Sequence, residues 1–196
     1  MSLAPGRILS RCLLAGLLAG GGLHGGCVSR LSPPLDLSGR PVDPFVNSLT
    51  AATVLIFVSD DCPISNRYVP EIRRLQETFS PRHVSFWLVH ADPRETSADI
   101  REHWRQFGLT LPAVRDPGHF LVRLAQAEVT PTAAVFAQGR TLVYHGRIDD
   151  RVSALQRERP EPEHRDLAEA LEAVLAGRPV PVAATPAIGC FIPGTR

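Results

Sequence analysis

Residues 60–70 read DDCPISNRYVP and follow, after Ser59, the apolar run TVLIFV at positions 53–58. The continuous, largely β-branched run is typical of a strand that is buried on both faces of a sheet. Pro63 suits the first turn of a helix, whereas Pro70 is expected to kink the helix. Four apolar residues recur at helical spacing after this turn: Tyr68, Ile72, Leu75 and Phe79. The stretch therefore predicts a buried strand, a turn that carries a cysteine, and an amphipathic helix.

Cys62 is predicted to lie at the start of that helix, where unpaired backbone N–H groups favour a negative charge. The thiolate is the reactive form of cysteine, so this position predicts a reactive side chain with a lowered pKa. The alternative is that Cys62 is a small buried apolar residue. Its polar neighbours, which argue against burial, are Asp60, Asp61, Ser65 and Asn66. We therefore expect an accessible, reactive thiol.

The rest of the chain alternates helices with short apolar strands. Helices are predicted at 64–79, 98–107, 120–127 and 166–176. Strands are predicted at 83–90, 111–114, 132–137 and 141–145, the last two joined in a hairpin at Gly139. Gly108 and Gly177 stand where helix-ending glycines are expected. This order predicts an α/β sandwich in one domain.

The first 27 residues have the features of an export signal. Arg7 and Arg11 precede a short apolar stretch at 12–19, and glycines follow at 20–22. This order is typical of a secretory signal peptide, and the apolar stretch is short for a membrane span. An uncleaved signal anchor is the alternative. We expect an exported protein, in which Cys12 belongs to the signal.

Cys27 raises the question of lipid attachment. The sequence LHGGC at 23–27 resembles the lipobox of bacterial lipoproteins, whose cysteine is acylated and becomes the first mature residue. Gly26 fits that pattern, whereas His24 stands where an apolar or small residue is usual. Two outcomes stay open, a lipidated Cys27 with membrane attachment or cleavage among the glycines. The expected location is periplasmic, or anchored on the outer side of the inner membrane or at the outer membrane.

Three pieces of the sequence together resemble the thioredoxin superfamily. The first is the predicted strand followed by CPIS at 62–65 and by a proline eight residues after the cysteine. The second, VTPTAAVF at 129–136, is similar to the loop that carries the cis proline in that family. The third, at 138–150, is similar to its closing hairpin. The wide spacing between the first two pieces resembles the larger redoxin branch, which includes the peroxiredoxins.

The resemblance implies a thioredoxin-like fold, with a central mixed β-sheet flanked by helices. The redoxin domain is expected over residues 46–177. A tether and edge segment at 28–45 would precede it, and a tail at 178–196 that carries Cys190 would follow.

The resemblance also assigns roles to individual residues. Cys62 is expected to be the nucleophile, and Ser65 stands where dithiol thioredoxins have their second cysteine. Ser65 either stabilises the thiolate or is an ordinary polar residue of the first helical turn. Pro131 is expected to be cis and to position the substrate. Pro63 and the backbone of Thr130 would contact an extended substrate segment.

Cys190 is the candidate resolving thiol. It follows Gly189 in a tail without periodicity, which is free to fold back over the site. In that role Cys62 would form a mixed disulfide, and Cys190 would release it. An export signal implies an oxidising compartment, where two thiols can pair. A tail thiol without a partner, or pairing between molecules, is the alternative, because the sequence gives no distance.

Thiol–disulfide exchange with protein thiols or disulfides is the predicted activity. The electrons would come from an upstream dithiol, and no cofactor is implied. A peroxidase acting on a small peroxide is the first alternative. Ser59 fills the hydroxyl position of the peroxiredoxin motif, but Leu55 stands where its proline belongs, and Arg147 or Arg140 would supply the guanidinium. A binding module with an unreactive Cys62 is the second alternative.

Charge and histidine placement argue against two other classes of function. The net charge is +1, and there is no basic stripe, so nothing indicates nucleic-acid binding. Copper-delivery relatives of the thioredoxin fold use two cysteines four positions apart with a distal histidine, but the second position here is Asn66. His119 is a candidate distal ligand or a residue at a helix start. We therefore predict no metal site.

Overall fold

The computed structural model describes residues 32–47, 49–155 and 157–195. The predicted signal peptide, with Cys12 and the lipidation candidate Cys27, lies outside these residues. No helix in the described part of the chain is long and apolar enough to cross a membrane.

A mixed sheet organises the fold. The strands are β1 (Leu35–Asp36), β2 (Ala52–Val58), β3 (Val84–His90), β4 (Ala113–Arg115), β5 (Val129–Thr130), β6 (Thr132–Ala137), β7 (Thr141–Gly146), β8 (Val152–Ala154), β9 (Arg157–Glu158) and β10 (Cys190–Phe191). The central sheet has the order β1-β4-β3-β2-β6-β7. Strand β3 is parallel to β2 and β4, whereas the other pairs in this sheet are antiparallel. The predicted mixed sheet is confirmed.

Four helices flank the sheet: α1 (Pro63–Phe79), α2 (Ser97–Phe107), α3 (Phe120–Ala125) and α4 (Asp166–Leu175). All four were expected from the apolar spacing, with ends that differ by one or two residues. Helix α2 begins one residue earlier than predicted, because Thr96 and Asp99 form a reciprocal capping box. It ends at Gly108 in the left-handed conformation, with φ of 62°. Helix α1 continues through Pro70.

Strand β2 is buried along its whole length and separates two apolar clusters. Val54 and Ile56 pack in the first cluster, with residues of α1 and α4. Leu55 and Phe57 pack in the second cluster, with residues of α3. Alternate side chains of a strand point to opposite faces, so the continuous apolar run at 53–58 reflects burial on both sides.

The fold extends further toward the N-terminus than the predicted domain start at residue 46. Strand β1, which lies in the predicted tether segment 28–45, pairs with β4 at the edge of the sheet. Phe45 packs edge-on against Phe136, with the ring centroids 5.0 Å apart. The edge character of this segment was expected from the sequence, whereas its two-residue strand is too short to give a periodic signal.

The tail after α4 is ordered by backbone pairing. Ala184 bridges His145 in β7, and β10 pairs antiparallel with β5. Strands β8 and β9 form a separate small hairpin. The tail therefore returns to the middle of the molecule and brings residue 190 to the strand that precedes Pro131.

Candidate active site

Cys62 occupies the N-cap position of α1, with φ of −86° and ψ of 108°. The strand β2 ends four residues earlier, and a turn closed by the Cys62 N–H donating to the Ser59 carbonyl (3.2 Å) carries the chain into the helix. The backbone N–H of Ser65 donates to the Cys62 sulfur over 3.5 Å. The first turn of α1 therefore directs an N–H group at the sulfur, as expected from the sequence.

The Cys62 side chain is buried, with 1% of its surface exposed. The prediction of an accessible thiol was wrong on this point. The thiol donates a hydrogen bond to the carbonyl of Thr130 over 3.1 Å, and the tail residues Cys190, Phe191, Ile192 and Pro193 line the same small cleft. Burial here comes from distant chain segments that cover the sulfur, which its immediate neighbours do not reveal.

Thr130 and Pro131 face Cys62 from the opposite side of the cleft. The Thr130–Pro131 peptide bond is cis, as the resemblance implied. Both residues are buried, and the Thr130 carbonyl accepts the thiol hydrogen bond. The loop between β5 and β6 thus places a backbone acceptor at the cysteine.

Cys190 lies directly beside this loop. It is the register partner of Thr130 in the β5–β10 pair, and it is partly buried. Both Cys62 and Cys190 are free thiols in this structure. The sequence left their proximity open, and the structure brings them into one cleft.

The two thiols have opposite pKa shifts. Burial by itself raises the pKa of Cys62, but hydrogen bonding from the side chains of Cys190, Ser65 and Thr130 and from the Ser65 N–H outweighs burial and leaves the pKa lowered. Burial raises the pKa of Cys190 to about 11, together with its interaction with the Cys62 sulfur and the negative charge of Asp61. Cys62 is therefore the more acidic thiol, and Cys190 stays protonated at neutral pH.

Asp61 acts on the second cysteine. A carboxylate close to a thiol ordinarily raises the pKa of that thiol, and Asp60 and Asp61 directly precede Cys62. The charge of Asp61 instead contributes to the raised pKa of Cys190, and neither carboxylate is among the main influences on Cys62. Asp61 thus strengthens the difference between the two thiols.

Ser65 is buried in the first turn of α1. Its hydroxyl lowers the pKa of Cys62, yet it makes no hydrogen bond of good geometry to any described group. A hydroxyl in this position is free to rotate and donate to a thiolate once one forms. Pro63 is the first helical residue and is exposed, so it lies on the surface next to the cleft.

The buried residues Glu95 and His90 hold the turn that precedes Cys62 in place. One carboxylate oxygen of Glu95 accepts hydrogen bonds from the Ser59 hydroxyl (2.7 Å) and the Asp60 N–H (3.0 Å). Its other oxygen lies 2.7 Å from Nδ1 of His90, which is 1% exposed. Burial raises the pKa of Glu95, but the hydrogen bonds and charge of His90, with those from Ser59 and Asp60, leave it lowered.

The same support extends to α1 and α2. The amide of Asn66 donates to the Asp60 carbonyl (3.0 Å), and its oxygen lies 2.7 Å from Nε2 of His103. Burial, with the neighbouring Glu95, raises the pKa of Asp60 to about 6. Our sequence reasoning missed His90, Glu95 and His103. The available signal was a histidine at the end of a buried apolar strand, which needs a partner.

Of the residues proposed for peroxide chemistry, Ser59 lines the cleft of Cys62, whereas Arg147 and Arg140 do not. Ser59 donates its hydroxyl to Glu95 rather than to the sulfur. Arg147 forms an ion pair with Asp166 over 2.7 Å, and Arg140 pairs with Asp43. Neither arginine lines the cleft; Arg94 does, and its guanidinium is held by Asp92.

Metal ligands are not clustered in the described part of the chain. No group of three or more histidine, cysteine, aspartate or glutamate residues there has the geometry to hold a metal ion. His119 precedes α3 and places its Nε2 atom 3.0 Å from the carbonyl oxygen of Ala91. This contact accounts for the histidine as part of the fold.

Comparison with solved structures identifies the fold. A protein of Geobacillus kaustophilus described as uncharacterized and conserved is 26% identical, with a TM-score of 0.66 over 83% of this chain and 89% of that chain. A hypothetical protein of Sinorhizobium meliloti 1021 is 22% identical, with a TM-score of 0.70 over 81% and 88%. The exposed lipoprotein thioredoxin of Streptococcus pneumoniae strain TIGR4 is 17% identical, with a TM-score of 0.51 over 71% and 96%.

No family model matches this chain, and no curated protein matches it. The chain is therefore described by its fold and by the geometry of the cleft around Cys62. The chain has a thioredoxin-like fold, with a cysteine at the N-terminus of α1 facing a cis proline.

Proposed function

We propose that this protein is a thiol–disulfide oxidoreductase in which Cys62 is the nucleophile and Cys190 the resolving thiol. The observation that carries the proposal is the position of Cys190. The tail pairs with β5 so that Cys190 stands opposite Thr130, whose carbonyl accepts the Cys62 hydrogen bond. The opposite pKa shifts of the two thiols support the division of roles.

The reaction consists of two disulfide exchanges. The Cys62 thiolate attacks one sulfur of a substrate disulfide, forms a mixed disulfide and releases the other substrate sulfur as a thiolate. Cys190 then loses its proton and attacks the Cys62 sulfur, which releases the second substrate thiolate and leaves a Cys62–Cys190 disulfide. Two electrons pass from the protein to the substrate. An external dithiol of the cell envelope reduces the protein for the next cycle.

Formation of the mixed disulfide activates Cys190. Two of the causes that raise its pKa are its interaction with the Cys62 sulfur and the charge of that sulfur. Both disappear when Cys62 becomes a neutral disulfide. Cys190 therefore ionises more readily after the mixed disulfide has formed than before. This change favours attack by Cys62 first and attack by Cys190 second.

The exchange of disulfides has more support than the reduction of peroxide. A peroxidase needs a cation close to its thiolate. In this structure Arg147 and Arg140 are paired with Asp166 and Asp43, and Arg94, which lines the cleft, is paired with Asp92. Placement in the redoxin branch rests on the wide spacing between Cys62 and Pro131. A binding module with an unreactive cysteine is opposed by the lowered pKa of Cys62.

We propose that the protein acts outside the cytoplasm, cleaved after its signal or lipidated at Cys27. The order of charges, apolar residues and glycines at the N-terminus supports export, and LHGGC at 23–27 supports lipidation. A similar fold occurs in the pneumococcal protein named as an exposed lipoprotein thioredoxin. Mass measurement of the protein from a membrane fraction tests this, because acylation adds a defined mass to the peptide that begins at residue 27.

The pH dependence of alkylation tests the proposed roles. Reduced protein is treated with iodoacetamide from pH 4 to 9, and each adduct is located by peptide mass spectrometry. We expect Cys62 to react with a midpoint below the free-thiol value of about 8.5, and a higher midpoint in Cys190→Ala, which loses a hydrogen-bond donor. If Cys62 resists alkylation until the protein unfolds, the proposed oxidoreductase activity would be refuted, and the alternative of a binding module with an unreactive cysteine would be favoured.

The choice of oxidant separates the two chemistries. Reduced protein is exposed to equal concentrations of glutathione disulfide and of hydrogen peroxide, and the loss of the protein's own thiols is followed by mass spectrometry after an acid quench, because exchange releases one glutathione thiol for each protein thiol consumed. Faster oxidation by the disulfide is expected for an exchange enzyme. Faster oxidation by peroxide would favour the peroxidase.

A further inference from the structure

The tail of the chain occupies the backbone edge beside the cis proline. Cys190 stands opposite Thr130 and Phe191 opposite Val129, in antiparallel pairing. The Ile192 N–H extends this ladder by donating to the Glu128 carbonyl over 2.9 Å. An extended peptide that adds to an exposed strand edge makes the same kind of contacts.

Residue 189 can only be glycine in this arrangement. A Cβ atom at Gly189 would lie 1.9 Å from the Thr130 carbonyl oxygen and 2.6 Å from its carbonyl carbon. Both contacts are with backbone, which cannot move aside as a flexible side chain can. The approach of the tail to the loop therefore excludes any side chain at the position directly before the cysteine.

The position two residues after the cysteine is also selective. Ile192 is 3% exposed and packs in the second apolar cluster, which contains Phe57, Ala91 and Leu121. Phe191, between the cysteine and this isoleucine, is 56% exposed. The edge of β5 thus accepts a segment with no side chain directly before the cysteine and with a branched apolar residue two positions after it.

We propose that residues 188–192 occupy the edge of β5 in the manner of a polypeptide substrate, and that this edge selects the substrates of the enzyme by the same fit. The preferred substrate is an extended segment with glycine directly before its disulfide-bonded cysteine and a branched apolar residue two positions after it. This proposal rests on the proposed disulfide exchange. A substrate segment and the tail cannot pair with β5 at the same time, so the substrate displaces Cys190 and the tail returns to resolve the mixed disulfide.

The tail has a second attachment that allows such an exchange. The Thr185 hydroxyl lies 2.7 Å from the Tyr144 hydroxyl and accepts from the Arg147 N–H over 3.1 Å. The His145 N–H donates to the Ala183 carbonyl over 3.0 Å. Residues 183–185 therefore hold the tail along β7, and the segment from 188 onward can leave β5 while the chain stays close.

Peptide selectivity tests the proposal on the unmodified protein. The probe is a capped peptide, Ala-Ile-Gly-Cys-Phe-Ile-Pro, whose cysteine carries a thionitrobenzoate group as a mixed disulfide. Attack by Cys62 on the peptide sulfur releases coloured thionitrobenzoate. We expect this peptide to react at least tenfold faster than peptides with valine in place of the glycine or serine in place of the second isoleucine.

A variant of the tail tests the occupancy. Gly189→Ala is expected to release the tail from β5 and, at a pH where Cys62 is ionised in both proteins, to speed the reactions of Cys62 with the glycine peptide and with iodoacetamide several-fold. The matched control is Ala183→Ser, which changes an exposed side chain of the same tail. Urea unfolding of each variant checks that it is folded.

The outcomes separate this proposal from the proposed function. Equal rates for the three peptides, with an unchanged rate in Gly189→Ala, would overturn the docking proposal while Cys62 still reacts with a small aromatic disulfide. No reaction of folded protein with that small disulfide, in either the wild type or Gly189→Ala, would overturn the exchange activity itself.

Discussion

Oxidation of Cys62 and Cys190 to a disulfide is expected to raise the free energy of unfolding by about 5 kcal/mol. The two residues are 128 positions apart. Closing a loop of this length lowers the conformational entropy of the unfolded chain, which raises the free energy of that chain by roughly 4.9 kcal/mol at 25 °C. The native state changes little by comparison, because the tail is already paired with β5 and Ile192 is already buried. The gain therefore comes mainly from the unfolded state.

Urea unfolding of the reduced and oxidised protein measures this difference. Thermal unfolding gives a second measure. At about 2–4 °C per kcal/mol for a chain of this size, the Tm is expected to rise by roughly 10–20 °C on oxidation. The control is Cys190→Ser in the same oxidant, which should show no rise. Equal or lower stability of a protein whose disulfide has been verified by mass would show that the native fold resists pairing, and would refute the proposed resolving role.

The same stabilisation lowers the reduction potential of the cysteine pair. A disulfide that stabilises the fold by about 5 kcal/mol corresponds to a reduction potential about 100 mV below that of the same two cysteines in the unfolded chain. The lowered pKa of Cys62 stabilises the reduced form and works against this shift. Equilibration of the folded and of the urea-unfolded protein with glutathione buffers measures the net shift, and the folded protein is expected to have the lower reduction potential.

Three further substitutions test the parts of the structure around the cleft. Glu95→Gln is expected to lower the free energy of unfolding by about 1–3 kcal/mol, since it weakens a buried hydrogen-bonded pair, whereas exposed Glu77→Gln should leave the urea midpoint unchanged; equal effects would contradict the role of the pair. Ile192→Ala is expected to cost about 2–4 kcal/mol and exposed Val182→Ala almost nothing, unless the tail contributes no stability. The pKa of Asp60 is raised to about 6 in the fold, so its stabilising contribution is present below its unfolded pKa of about 3.9 and is lost as the pH rises through about 6. Asp60→Asn should therefore raise the urea midpoint at pH 7.5 and leave it unchanged at pH 3. A midpoint that rises at pH 3 and not at pH 7.5 would refute the assignment.

The elements of the central domain were predictable because their signals are local. The run at 53–58 is apolar on both faces, which only a buried strand explains at that length. Gly108 ends α2 in a conformation that glycine adopts most easily. Cys62 at the start of α1 follows from the same pattern, because the strand, the turn and Pro63 come in an order that fixes the helix start.

The closure of the cleft was not predictable from the sequence. The residues that cover Cys62 are Thr130 and the tail around Cys190, which are far from it along the chain. The tail is held by backbone pairing, by the hydrogen bonds of Thr185 and by the buried side chain of Ile192, and such contacts leave no apolar period in a sequence. Glu95 was missed for a similar reason, since its partners Ser59 and His90 come from separate loops and strands.

Trapping of a mixed disulfide tests the central claim most directly. Reduced wild-type protein and the Cys190→Ser variant are mixed with glutathione disulfide, quenched with acid at increasing times and analysed by mass spectrometry. We predict that the variant accumulates one glutathione on Cys62, whereas the wild type passes through this adduct to a Cys62–Cys190 disulfide. A wild type that keeps the glutathione adduct as long as the variant does would contradict resolution by Cys190, and no adduct on Cys62 in either protein would contradict its role as the nucleophile.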